Sequence, residues 1–139
     1  LLIGITSFLL FTAIGLSSTQ AKGIRPDRAR ELLPAFLLIA LADGFMEELL
    51  FRGLFLRRLG RFVGDDWANL VTATGFAFAH LGVRFAGPLS TVLLVVFLLG
   101  LLLGWIMQRT GSLLAPALFH AGVDMLIIAD AFRAFGINS

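Results

Sequence analysis

LSTVLLVVFLLGLLLGWIM, residues 89–107, carries no charge over 19 positions. An α-helix rises ~1.5 Å per residue, so this stretch is long enough to cross the hydrocarbon core of a bilayer. It is Leu- and Val-rich and does not alternate with period two, which predicts helix rather than strand. A spanning segment must satisfy its own backbone hydrogen bonds, and a helix does so internally. The rest of the chain agrees. Of 139 residues, 58% are hydrophobic and 14% charged, with a mean hydropathy of +0.94. Soluble domains carry about 25% charged residues. An unusually apolar soluble bundle is the weaker reading, because so much apolar surface cannot be hidden inside so small a globule.

Working outward, residues 1–16 form an apolar first segment, followed by a polar connection over residues 17–30 with Pro26 opening a short surface helix. Residues 31–59 read as one long helix and residues 60–66 as a loop. Residues 67–80 form a short helix with Trp67 as an interfacial anchor, and residues 81–88 a second loop. After residues 89–107, Gly111 and Ser112 punctuate and a last helix runs over residues 113–135. Pro34 and Pro116 read as helix-entry residues. The expected fold is an all-α polytopic transmembrane bundle of about five membrane helices, with residues 1–139 as one transmembrane domain. The chain begins Leu1-Leu2 within an apolar run and reads as the core of a longer protein, without a signal peptide.

Several functions are excluded by composition. There is no cysteine, so disulfides and thiolate metal sites are absent. The net charge of +2 and the pI near 10.4 come from scattered arginines, with no basic block interleaved with aromatics as a nucleic-acid surface would need. The 14 phenylalanines read as lipid-facing bulk.

Against this background the polar residues stand out. Glu47, Glu48 and Arg52 interrupt the second apolar stretch, where a charge costs at least a few kcal/mol. Glu48 and Arg52 are four apart and share a helix face. Glu47 is rotated about 100° from Glu48. The expectation is that Arg52 neutralises Glu48 while Glu47 points elsewhere, as a base for water. His80 and His120 are the only histidines. Phe76 precedes His80 by four residues, and Asp124 follows His120 by four. Counted along the helices at ~1.5 Å per residue, Glu47, His80, His120 and Asp124 lie ~12–18 Å from a common membrane face, which suggests one buried site. The alternative is a structural polar knot joining helices. Asp43, four residues before Glu47, either shares a proton with it or faces water. Gly100 and Gly104 form a GxxxG close-packing face. Asp130 and Arg133 read as a solvated interfacial pair.

The run Glu47-Glu48-x-x-x-Arg52-Gly53, then Phe76-x-x-x-His80, then His120-x-x-x-Asp124, in order on successive helices, resembles the CPBP family. These are the CAAX proteases and bacteriocin-processing (Abi) proteins, and the resemblance covers residues 31–130 as a catalytic core. It implies an intramembrane endopeptidase acting on a membrane-associated or lipidated protein, in an integral membrane setting, expected to be a prokaryotic cell membrane. By position, Glu47 would activate water and His80 would help to hold it. His120 and Asp124 would form the oxyanion site, with Glu48, Arg52 and Phe76 in support. Relatives with Asn at the last position donate a hydrogen bond there, which an ionised Asp124 cannot. The family is described both as metalloproteases and as glutamate endopeptidases. Glu47, His80 and His120 would be the ligands if Zn2+ were bound, but no HExxH motif is present and no tightly bound metal is expected. The resemblance also places residues 57–67 in the cytosol, whereas the distribution of basic residues is too even to orient the chain. Two other functions compete: a non-catalytic membrane protein, such as a bacteriocin-immunity or scaffold protein, and a proton or cation transporter. The second is disfavoured by the lack of an inverted repeat.

Overall fold

The computed structural model describes residues 1–21, 25–83, 87–128 and 130. Among these, every regular element is helical: α1 (Leu2–Ala21), α2 (Pro26–Glu48), a π-helical segment (Leu49–Leu56), α3 (Arg57–Val63), α4 (Asp65–Ala79), a 3-10 turn (His80–Gly82), α5 (Leu89–Thr110) and α6 (Leu114–Leu126). The all-α expectation holds. By length and apolarity α1 and α5 can each cross a membrane, and α6 is a shorter apolar helix.

Several boundaries differ from the sequence reading. Pro26 opens α2 itself rather than a separate surface helix, so Pro34 lies in the helix interior instead of at its entry. The polar start of α2 is carried by exposed ion pairs, Arg25–Asp27 at 2.7 Å and Arg28–Glu31 at 2.9 Å. The hydrogen bond from Arg25 holds the Asp27 carboxyl below its ordinary pKa. The helix expected over residues 31–59 is three elements, because the ladder widens to π geometry after Glu48. The expected loop at residues 60–66 shrinks to one residue. Gly64 adopts φ 82°, which a side chain would strain, and its N–H closes α3 on the Gly60 carbonyl at 3.1 Å. The last helix is described to Leu126, and Arg133 lies outside the described residues.

The chain forms two compact units: Leu1–Glu47 with Ala117–Ser139, and Glu48–Pro116. In the first, Ala121, Met125 and Ile128 pack on Ala29 and Ala40 of α2, with Phe8 of α1 against the same cluster. Phe11 meets Phe119 edge-on at 5.4 Å. The packing is backbone-close. A Cβ at Gly44 would lie 2.9 Å from the Ala121 nitrogen and 3.0 Å from the Ala117 carbonyl oxygen. One at Gly122 would lie 2.9 Å from the Phe8 Cα.

In the second unit α4 and α5 pack together, and the GxxxG face is their contact. A Cβ at Gly100 would lie 3.1 Å from the Ala73 Cα, and one at Gly104 would overlap the Asn69 amide. That amide donates to the Leu101 carbonyl at 3.0 Å. Two apolar clusters flank this contact: Leu56, Ala68 and Met107, and Phe76, Ala77 and Val96.

Candidate active site

Glu47 and Glu48 close α2, adjacent in sequence and different in surroundings. In the second unit Glu48 and Arg52 are both fully buried, and the guanidinium donates from Nη1 to the Glu48 carboxylate at 2.7 Å. Its Nη2 donates to the Gly100 carbonyl at 2.8 Å. The GxxxG face therefore has a second role, since the close approach of helices that it permits leaves a backbone acceptor for the buried arginine. Arg52 also lies over the Phe76 ring, 4.4 Å from its centroid. A charge-assisted hydrogen bond, a carbonyl and a π face make this side chain the polar anchor of the unit.

Phe76 carries the arrangement on to His80. The two rings are 4.7 Å apart between centroids, tilted by 55°. His80 caps α4, and its Nδ1 lies 2.8 Å from the Phe76 carbonyl oxygen. A carbonyl only accepts, so Nδ1 is the donor.

In the first unit, His120 of α6 is 4% exposed. Its Nε2 faces two carboxylates, Glu47 Oε2 at 3.8 Å and Asp124 Oδ1 at 3.8 Å. The two acids keep 29% and 25% of their side-chain surface open while the imidazole keeps 5%. The ring is buried, while each acid is partly exposed although the Glu47 oxygen that faces the ring is itself buried. Both gaps exceed a direct hydrogen bond.

The expected site residues are therefore distributed as follows. Glu47, His120 and Asp124 come together in the first unit. Glu48, Arg52, Phe76 and His80 form a continuous chain of contacts in the second. Asp43 is exposed on α2. Sequence reasoning missed Gly44. It lies one helical turn before Glu47 and brings the α2 backbone onto Ala117 and Ala121, the latter adjacent to His120. The available signal was a glycine three residues before an intramembrane acid.

Among the described residues, no three His, Asp or Glu side chains form a group that could hold a metal ion.

A family description, "Type II CAAX prenyl endopeptidase Rce1-like", matches residues 29–126. The chain belongs to this Rce1-like family. The match contains all three motifs, from Glu47 to Asp124. It makes the protein a member of a membrane-embedded protease family, in agreement with the two apolar helices able to cross a bilayer. No curated protein and no solved structure matches the chain.

Proposed function

We propose that this Rce1-like protein is an intramembrane endopeptidase that hydrolyses a peptide bond of a membrane-associated protein, with CAAX-type C-terminal processing as the reaction class. The observation that carries the reading is the separation of two adjacent acids. Glu48 is engaged by Arg52, and Glu47 faces His120 Nε2 at 3.8 Å.

The chemistry follows from what amide hydrolysis needs. Glu47 takes a proton from water as its oxygen bonds to the scissile carbonyl carbon. The carbonyl oxygen becomes an oxyanion, and a proton on His120 Nε2 donates to it. Two carboxylates facing that nitrogen support a hydrogen on it, with Asp124 as the group that orients the donor. The C–N bond then breaks, and Glu47 passes its proton to the leaving amine. The chain has no cysteine, and none of its serines forms a motif with a histidine, so a covalent route has no evident nucleophile.

The test is cleavage of membrane peptides with and without a prenylated C-terminal CAAX sequence, by wild type and Glu47→Gln, each with and without a chelator. Glu47→Gln keeps the shape and removes the base, so kcat should fall by at least ~10² with the melting temperature unchanged. Full activity in Glu47→Gln would refute the glutamate base and favour a binding or scaffold role. Loss of wild-type activity on chelation, restored by Zn2+, would replace the metal-free scheme.

A further inference from the structure

The second unit contains a cavity of about 410 Å³ at the C-terminal end of α5. Its floor is apolar, formed by Leu56 and Met107, both almost fully buried. Its walls are charged: Arg57 and Arg61, one helical turn apart on α3, face Asp65 at the start of α4 and Gln108 near the end of α5. These walls are held in place. Arg57 donates to the Gly111 carbonyl at 3.2 Å, and Gln108 to the Asp65 carbonyl at 2.8 Å. Gly60 leaves room for the Asp65 carboxylate, since a Cβ there would lie 3.0 Å from Oδ1. Arg61 makes no ion pair among the described residues and is exposed.

The surroundings of the cavity indicate what reaches it. It opens at the end of a helix long and apolar enough to cross a bilayer. Phe62 and Trp67, beside it in sequence, are 79% and 65% exposed. Arg109 sits over the Trp105 ring at 5.7 Å. Exposed aromatics and arginines at a helix end belong to the headgroup layer of a membrane, where phosphodiesters are the abundant anions.

We propose that this cavity binds a phospholipid headgroup. Arg57 and Arg61 hold the phosphate, Asp65 and Gln108 receive a hydrogen-bond donor beyond it, and Leu56 and Met107 face the glycerol and the first methylenes. Two guanidiniums match phosphate oxygens. A carboxylate opposite them would repel a bare anion, but it suits a headgroup that ends in an ammonium or a hydroxyl. The ligand is therefore a phosphatidylethanolamine or a phosphatidylglycerol in preference to a phosphatidylcholine, whose trimethylammonium has no N–H to donate.

The experiment uses the full chain in detergent, titrated with short-chain forms of the three phospholipids and, separately, with inorganic phosphate, with thermal shift as the readout. Wild type should bind the ethanolamine and glycerol lipids more tightly than the choline lipid, and phosphate most weakly. Arg61→Gln disturbs no ion pair and should raise the apparent Kd for all three lipids about fivefold, the worth of one basic residue at a lipid surface. Asp65→Asn should narrow the gap between ethanolamine and choline lipids while phosphate binding stays or strengthens. Equal shifts in wild type and Arg61→Gln would overturn the proposal. So would phosphate displacing the lipid at equal concentration, which would make this an inorganic anion site. Indifference of wild type to the headgroup would overturn the roles of Asp65 and Gln108.

Discussion

Gly44→Ala is the substitution that most directly tests the assembly of the Glu47–His120 pair. Its new methyl would sit 2.9 Å from the Ala121 nitrogen and 3.0 Å from the Ala117 carbonyl oxygen. Both are backbone atoms of α6, so no side chain can swing aside. Ordinary carbon contacts need about 3.5 Å, so the helices must part by roughly 0.5 Å at this point. Glu47 lies one turn further along α2, and His120 is bonded to Ala121. The 3.8 Å between Glu47 Oε2 and His120 Nε2 therefore widens by a similar amount. A misplacement of 1 Å in a positioned reactive group can cost about 10² in rate, so half of that should lower kcat by roughly tenfold. Stability moves less. Overpacking costs about 1–3 kcal/mol, and Ala regains up to about 1 kcal/mol of helix propensity over Gly. The assay is peptide cleavage beside a thermal melt, with Gly75→Ala as control. Gly75 is exposed on α4, and a Cβ there meets only Phe51 at 4.0 Å, so that variant should keep its activity. If Gly44→Ala cleaves within twofold of wild type, the close approach of α2 and α6 does not set the reacting geometry, and the reasoning fails.

Two further substitutions separate anchoring from chemistry. Arg52→Ala strips the buried Glu48 of its ion pair, and should destabilise the protein by about 3–5 kcal/mol, read as a large drop in detergent melting temperature. Arg52→Lys keeps the charge but cannot reach both Glu48 and the Gly100 carbonyl with a planar fork, and should melt between the two. Asp124→Asn supplies a neutral side chain able to donate, and should retain cleavage. Asp124→Ala removes the group that orients His120 and should lower kcat about tenfold or more; equal activity in Asp124→Ala and wild type would remove Asp124 from the site.

Much of this was fixed along the chain before any tertiary contact. A charge-free, Leu-rich run over residues 89–107 without period-two alternation reads as helix, and the described structure extends it to α5, Leu89–Thr110. The spacing of Glu48 and Arg52 places them on one face, and the motif order leads to the family that matches residues 29–126. Each of these depends on local periodicity or solvation, which the sequence carries directly. The breaks were less legible. The widening to π geometry after Glu48 and the single-residue turn at Gly64 depend on backbone choices that several neighbouring sequences would allow. Tertiary structure alone decided which atoms meet. It gave Arg52 the Gly100 carbonyl 48 positions away, turned the Phe76 carbonyl onto His80 Nδ1, and set Glu47 and Asp124 at equal distance from one nitrogen of His120. It also gave Gly44 its meaning. Periodicity tells which face of a helix a residue occupies, but how closely two faces approach is set by the side chains missing between them, and that is a property of the pair.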